Sequence, residues 1–204
     1  MSVIDITMKV RVNQSDLRVE LRGRGIIGLL GPNGSGKTRA LRCIAGLLEC
    51  KDSHILLNGV DVSGQPAGKR GIVYVSPNSY FQELTVYDHF DTLLKNKVTA
   101  YEELGSLKEA LGIDYSGKMK FKSTGQRVRV AVAVAVLSHA SLVLLDEVPA
   151  VISEPEKFIM SLMGISSSRG TDFLIATNQA NLAVLMNAAY EIADGQTREL
   201  RNVH

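Results

Sequence analysis

Residues 26–38 read IIGLLGPNGSGKT, and this stretch decides the fold. The apolar run 26–30 predicts a buried strand, because it is short, continuous and ends at a Gly-Pro turn. Residues 31–38 satisfy the pattern G-x-x-x-x-G-K-[ST] and open a predicted helix. The glycines let the backbone curl so that its N–H groups turn inward, and the helix adds the positive end of its dipole. The stretch therefore predicts a strand, a phosphate-binding loop and a helix.

The predicted phosphate loop supplies a complete set of candidate ligands for a nucleotide. Lys37 is expected to reach the outer phosphates, and the Thr38 hydroxyl is expected to ligate Mg²⁺. A glycine-rich turn that binds nothing is the alternative, but the Lys-Thr pair in a strand–loop–helix context argues against it. The candidate binding residues are Gly31, Pro32, Asn33, Gly34, Ser35, Gly36, Lys37 and Thr38.

An acidic pair follows a second predicted strand. Residues 142–147 read LVLLDE, so that Asp146 and Glu147 come directly after a continuous apolar run. Asp146 can hold Mg²⁺, and Glu147 can accept a proton from an attacking water. Alone, such a pair is equally compatible with a solvated turn. Combined with the phosphate loop, it predicts Mg²⁺-dependent phosphoryl transfer.

Other short apolar runs complete a predicted sheet. They are 54–57 before Asn58-Gly59, 72–75 before Pro77, and 173–176 before Thr177-Asn178. The Asn-Gly pair predicts that the first of these strands enters a tight hairpin turn. Helical stretches, such as 38–48 and 104–111, lie between the runs. Strands that alternate with helices predict a mostly parallel sheet covered on both faces. Ligands of such sheets bind at the carboxyl ends of the strands, which is where the polar residues stand.

The composition is that of one globular domain, 1–204. The chain is 45% hydrophobic and 22% charged with a net charge of +2, which excludes a disordered chain and predicts no nucleic-acid binding. The longest apolar run, 130–137, is shorter than the roughly 18 residues of a membrane span, and the first residues do not form a signal peptide. On one helix, Cys43 and Cys50 would lie about 10 Å apart along the axis. The sequence therefore predicts two reduced, buried cysteines in a cytoplasmic protein.

A third motif, STGQR at 123–127, lies between the phosphate loop and LVLLDE. With these three motifs in this order, and with LNGVDVSG and IADGQ, the chain resembles the ATP-binding cassette (ABC) family over essentially its whole length. The stretch VRVAVAVAV at 128–136 alternates with period two, which is typical of a strand, but its alanines favour a helix. The resemblance places 127–138 in a helix.

The resemblance implies an α/β P-loop NTPase fold. Its parts would be a RecA-like core sheet, a small antiparallel β part, and a short helical subdomain inserted at approximately 78–124. Two such domains, identical or different, would pack head to tail. Ser123, Gly125 and Gln126 of one chain would then face the γ-phosphate held by its partner. The implied cofactors are ATP and Mg²⁺.

The implied function is that of the ATP-binding subunit of an ABC transporter. Such a subunit is an ATPase that couples ATP binding and hydrolysis to the movement of separate transmembrane permease subunits. It would lie peripherally on the cytoplasmic face of the membrane. The clustered aromatic residues Tyr80, Phe81 and Tyr87 belong either to local core packing or to an apolar notch for a membrane-subunit helix.

The stretch 122–126 resembles the family signature LSGGQ but has Lys122 in place of Leu and Thr124 in place of the first Gly. Elsewhere, Pro77 replaces a metal-contacting Gln, Ser153 replaces an Asp, and Asn178 replaces a switch His. Asn78 or Gln82 are the candidates to replace the missing Gln. No aromatic residue precedes Tyr74, so Val10 or a nearby aliphatic residue would have to contact the base. The catalytic candidates are therefore Lys37, Glu147 and Asn178.

These departures spare the phosphate loop, Thr38 and Asp146, so we expect ATP binding with hydrolysis that is slow or tuned by a partner. Two alternatives stay open. One is a soluble ABC ATPase that does not act in transport. The other is an ATP-binding regulatory module with little hydrolysis.

Overall fold

The computed structural model describes residues 3–12, 15–50, 52–94 and 98–200. Within these residues, strands β1 to β10 form one mixed sheet in the order β5-β4-β1-β2-β10-β9-β3-β8-β7-β6. The strands are β1 (Ile4–Val12), β2 (Ser15–Gly23), β3 (Ile26–Leu30), β4 (His54–Leu57), β5 (Val60–Asp61), β6 (Ile72–Val75), β7 (Leu142–Asp146), β8 (Asp172–Thr177), β9 (Ala188–Ala193) and β10 (Gln196–Glu199).

The helices connect the parallel strands and cover the sheet. They are α1 (Lys37–Ile44), α2 (Val86–Leu94), α3 (Val98–Ala110), α4 (Thr124–Leu137) and α5 (Pro155–Arg169). Short 3₁₀ turns occur at Ala67–Lys69, Met119–Phe121, Val148–Val151 and Ala180–Leu185. No helix in the described ranges is long and apolar enough to span a membrane.

The parallel half of the sheet is buried on both faces, as predicted. β3, β8, β7 and β6 pair in parallel, and β9 joins β3 on the other side. Alternate residues of β7 point to opposite cores: Leu142 and Leu144 pack with α1, while Val143 and Leu145 pack with α4 and α5. This two-sided burial explains why these strands read as continuous apolar runs.

The other half of the sheet is antiparallel. β1 pairs with β2 and β4, and β4 pairs with β5 across the Asn58-Gly59 turn. Both turn residues have positive φ, at 56° and 79°, which is the backbone that an Asn-Gly hairpin favours. The predicted hairpin is confirmed. Ile6, Met8 and Val19 bury the inner face of this half against the core that α1 shares.

Residues 124–137 form the helix α4, which confirms the prediction of helix over strand. Its burial explains the misleading alternation. Val128, Val130 and Val132 are buried, and Ala133, Ala135, Val136 and Leu137 continue the apolar surface around the helix. A helix that is buried nearly all round needs no polar face, so its sequence carries no helical period.

The prediction of two unpaired cysteines is wrong, because α1 ends earlier than predicted. The chain leaves the helix at Ala45 and turns at Gly46, whose φ of 73° is the left-handed conformation that ends many helices. The turn brings Cys50 back to Cys43, and the two form a disulfide with Cα atoms 5.7 Å apart. Arg70 donates to the Cys43 and Ile44 carbonyls and so satisfies the end of the helix.

The segment 78–124, predicted as a helical subdomain, contains α2, α3 and the 3₁₀ turn Met119–Phe121. Residues 95–97 of that segment lie outside the described ranges. Phe90 of α2 and Leu107 of α3 are buried in the same core as Val128 of α4. The segment therefore packs directly on the helix that begins at the STGQ motif.

Candidate phosphate-binding site

Three strands end together at one edge of the sheet. Leu30 of β3 pairs with Thr177 of β8, and Ala176 of β8 pairs with Asp146 of β7. The residues that follow, Gly31, Asn178 and Glu147, therefore meet at this edge. The polar side chains that the sequence places at strand ends share one site, as the topology of parallel sheets requires.

The phosphate loop encloses a cavity of about 510 Å³ whose lining includes Gly36, Lys37, Thr38 and Glu147. Gly36 has a φ of 106°, and a Cβ atom there would approach Val12 to 2.8 Å, so only glycine fits. α1 has no side-chain cap. Among the described residues, the N–H groups of Gly34, Gly36, Lys37 and Thr38 donate to no protein group. Free N–H groups at a helix N-terminus suit an anion.

Lys37 lies inside this cavity with only 4% of its surface exposed. Its ammonium donates to the carbonyls of Gly31 at 2.8 Å and Pro32 at 3.1 Å, and it pairs with Glu147 Oε1 at 3.1 Å. A buried charge needs such partners, because an unpaired ammonium in the interior is costly. The loop therefore holds its own cation in place, and Lys37 and Glu147 lie in direct contact.

Asp146 is 6% exposed, and each of its carboxylate oxygens accepts one hydroxyl. Thr38 donates to Oδ1 at 3.0 Å, and Tyr74 donates to Oδ2 at 2.5 Å. Burial, followed by the hydrogen bond to Asp146, raises the pKa of Tyr74 to about 12. The hydroxyl and carboxylate oxygens of Thr38 and Asp146 are the ligand type that Mg²⁺ prefers, so these residues fit that ion.

Tyr74 is a site residue that sequence reasoning missed. The available signal was its place in β6, where it pairs with Leu144, two residues before Asp146. Diagonal neighbours on one face of a sheet lie within reach of an aromatic side chain.

Glu147 adopts the left-handed conformation, with a φ of 53°. Its N–H donates to the Ala176 carbonyl at 2.9 Å, and its carboxylate is held by Lys37. Such a backbone is uncommon for a non-glycine residue and persists where its surroundings hold it. The two contacts aim the carboxylate at the phosphate cavity instead of along the strand.

The STGQ motif forms the capped N-terminus of α4. Ser123 Oγ accepts from the Gln126 N–H at 3.2 Å, and Gln126 Oε1 accepts from the Ser123 N–H at 3.0 Å. This is a capping box. The Gln126 side chain, predicted as a nucleotide contact, is engaged in this cap.

Gly125 packs closely on the segment that follows Glu147. A Cβ atom at this position would lie 2.8 Å from the Val151 carbonyl oxygen. The motif and Ser153 line one cleft of about 580 Å³. The motif that the family resemblance assigns to the partner's nucleotide therefore lies beside Ser153 on one surface.

The departures from the family pattern have definite places in the structure. Asn178 Nδ2 donates to Asn33 Oδ1 at 3.4 Å, which brings the predicted switch position onto the phosphate loop. Of Val10 and the nearby aliphatic residues that the sequence offers for the base, Val10 is buried in the core and Val12 lines the phosphate cavity. Asn78 and Gln82 are both exposed, and in the described structure neither hydrogen-bonds to the phosphate loop.

The aromatic cluster is divided between the two alternatives that the sequence left open. Tyr80 packs against the core, and its hydroxyl accepts from Arg127 at 2.6 Å. Phe81 is 71% exposed, and Tyr87 is also exposed. Tyr80 therefore ties the segment after β6 to α4, while the side chains of Phe81, Leu84, Tyr87 and Phe121 are exposed.

Sequence comparison finds relatives along most of the chain. A family model described as ABC transporter matches residues 14–150. The molybdate/tungstate import ATP-binding protein WtpC of Pyrococcus abyssi is 39% identical over 127 residues, which are 58% of this chain and 37% of that protein. The ABC transporter ATP-binding protein y4fO of Sinorhizobium fredii is 30% identical over 200 residues, covering 89% of this chain and 59% of that protein. The chain thus spans less than two thirds of the length of these relatives.

Solved structures show the same fold. A nucleotide-free ATP-binding cassette from an ABC transporter superposes with a TM-score of 0.79 at 19% identity, covering 99% of this chain and 92% of that one. A dimeric post-hydrolysis state of the ATP-binding cassette MJ0796, bound to ADP and Pi, superposes with a TM-score of 0.73 at 18% identity, covering 98% of both chains. At these identities, the likeness concerns the fold.

Proposed function

The chain belongs to the ABC transporter family, and from this premise we propose that it is the ATP-binding and ATP-hydrolysing subunit of an ABC transporter. The observation that carries the proposal is the shared cavity at the carboxyl edge of the sheet. There, the free N–H groups of the phosphate loop, the Lys37 ammonium, the Thr38–Asp146 pair and Glu147 lie together. This combination of N–H donors, an ammonium and two carboxylates suits Mg²⁺·ATP.

Each residue has a role that follows from its place. The N–H groups of Gly34, Gly36, Lys37 and Thr38 and the Lys37 ammonium bind the phosphates, and in doing so Lys37 exchanges its contact with Glu147 for one with phosphate. Thr38 and Asp146 hold Mg²⁺, which supplies charge neutralisation on the phosphate oxygens. Glu147, released from Lys37, accepts the proton of the attacking water.

The signature surface requires a second cassette, identical or different. Ser123, Gly125 and Ser153 line a cleft on the surface of the chain, and the cleft contains the N-terminus of a long helix. The dipole of α4 attracts an anion, and the nucleotide bound to a partner chain can supply that anion. The dimeric cassette among the structural neighbours supports this arrangement.

The transmembrane partner is a permease, and this chain lies on the cytoplasmic face of the membrane. The exposed apolar side chains of Phe81, Leu84, Tyr87 and Phe121 suit contact with a helix of such a subunit. The relatives include import proteins for molybdate/tungstate and for molybdenum, which supports import as the direction. Substrate identity would be set by the permease, since the phosphate cavity serves the nucleotide alone.

A regulatory ATP-binding module with little turnover is the second candidate, and the contact of Asn178 favours it. The Asn178 amide reaches the phosphate loop but carries no charge, whereas an imidazole can become a cation near neutral pH. This arrangement supports binding without fast hydrolysis.

Calorimetry with Mg²⁺·ATP on Lys37→Ala tests the proposed function. Because the buried ammonium is a charge-assisted donor to phosphate, we expect the affinity to fall by at least about 100-fold. Lys157→Ala, which removes an exposed lysine of α5, is the control and should bind like the parent. Thermal unfolding confirms that both variants fold. Equal ATP affinity of Lys37→Ala and the parent would contradict the proposal.

A further inference from the structure

Asp146 occupies an unusual electrostatic position. Its carboxylate is buried, yet in the ranges that the structure describes no Lys, Arg or His pairs with it. Two neutral hydroxyls, those of Thr38 and Tyr74, occupy one oxygen each. A buried carboxylate with only neutral donors has spare capacity for a cation. The orientation of this carboxylate is therefore decided by two hydroxyls on opposite oxygens.

The sheet register explains why Tyr74 reaches Asp146. Tyr74 pairs with Leu144, and Asp146 is the next residue of β7 on the same face. Tyr74 and Leu144 both pack in the core beneath α1. From there the ring extends along the sheet to the diagonal position, a span of about 7–8 Å between Cα atoms that aromatic side chains can bridge. The contact thus follows from the pairing of two rigid strands.

The hydrogen bond from Tyr74 is fixed by the packing of its ring. The hydroxyl donates to Asp146 Oδ2 at 2.5 Å, while Thr38 donates to Oδ1 at 3.0 Å. The Tyr74 ring packs against the core beneath α1, which holds the hydroxyl in place. The phenol therefore restrains the Asp146 carboxylate on the oxygen that Thr38 does not contact.

We propose that Tyr74 is a positioning residue for the metal site: it holds Asp146 Oδ2 so that Oδ1, beside Thr38, is aimed at Mg²⁺. The inference rests on the proposed function and adds a residue to that site. Groups that orient a metal-ligating carboxylate typically contribute 10- to 100-fold to metal affinity. Because Thr38 remains in place, we expect the lower value.

The test is Tyr74→Phe, which removes only the hydroxyl. Calorimetry measures ATP binding first in excess EDTA and then across a titration of free Mg²⁺. We expect unchanged ATP affinity in EDTA and a Mg²⁺ midpoint raised by about tenfold. Mn²⁺ titrated with ATP and followed by electron paramagnetic resonance should show the same shift.

Tyr190→Phe is the matched control. Its hydroxyl bonds to the Arg22 backbone, away from the phosphate cavity, so the control loses a hydroxyl of similar burial without touching Asp146. Superimposed Mg²⁺ curves for Tyr74→Phe and the parent would overturn the inference, as would an equal loss of affinity in EDTA and in Mg²⁺. A parent chain whose ATP binding gains nothing from Mg²⁺ would instead overturn the proposed function.

Discussion

The phosphate loop and the STGQ motif both lie at helix N-termini, but the two regions are built differently. In front of α1, the N–H groups of Gly34, Gly36, Lys37 and Thr38 donate to no protein group in the described residues, and the charged side chains of Lys37 and Glu147 contact each other. In front of α4, Ser123 and Gln126 satisfy the helix with a capping box of neutral groups. The first region binds an anion with its own donors and charges. The second offers a helix dipole and hydroxyls, which become useful only when another molecule brings the anion.

The difference predicts which substitutions affect chemistry and which affect assembly. Changes beside the phosphate loop should alter binding or turnover in a single chain. Changes beside the STGQ motif should leave binding intact and alter only the pairing of two chains.

Glu147→Gln should have the largest effect on turnover. Removing a positioned base typically slows a reaction by 10²–10⁴-fold, and the shape of the side chain is kept. Steady-state phosphate release measures the rate, and calorimetry should show ATP affinity that is at least that of the parent. Glu154→Gln, an exposed carboxylate that pairs with Lys157, is the control with unchanged turnover. A Glu147→Gln variant that hydrolyses ATP at the parental rate would exclude this base.

Gly125→Ala tests the role of the STGQ motif in the pairing of two chains. The added Cβ would lie 2.8 Å from the Val151 carbonyl, so α4 or the segment 148–153 must move. Overpacking of this kind costs about 1–3 kcal/mol, which corresponds to about 5- to 150-fold in the ATP-dependent association of two chains. Sedimentation measures the association. ATP affinity of the single chain should not change.

Gly164→Ala in α5 is the matched control for that experiment. A Cβ atom at Gly164 has no neighbour within 4 Å, so association should equal that of the parent. Reduced ATP affinity in monomeric Gly125→Ala would contradict the claim that the STGQ motif affects only the pairing of two chains.

Asn178→His has the smallest expected effect, an ATPase rate raised by about tenfold. An imidazole placed on the phosphate loop can share positive charge with the transition state, where preorganised electrostatics are usually the largest contribution. Steady-state assays at saturating Mg²⁺·ATP measure the rate, with Gln179→His, one residue further on, as the control. If the ATPase rate does not rise while ATP affinity is unchanged, Asn178 is not the cause of slow hydrolysis. The cause would then be Pro77 or Ser153.

Much of the site can be predicted from the sequence, because its elements are local. The phosphate loop, the LVLLDE strand and the Asn58-Gly59 hairpin each carry their signal within a few residues. The contacts that escaped prediction depend on geometry between elements. The hydrogen bond from Tyr74 to Asp146 depends on the register of β6 and β7, and the Cys43–Cys50 disulfide depends on where α1 ends. The helix α4 is hidden by its own burial, which erases the helical period.

The most direct test is the association state of Glu147→Gln with Mg²⁺·ATP, because the STGQ motif is proposed to contact the nucleotide that a second cassette holds. Analytical ultracentrifugation at saturating ATP should show dimers of the variant, which revert to monomers when EDTA removes Mg²⁺. The same variant carrying Gly125→Ala should dimerise less. Monomers at every ATP concentration, with ATP bound, would contradict a pair of identical chains held together by nucleotide.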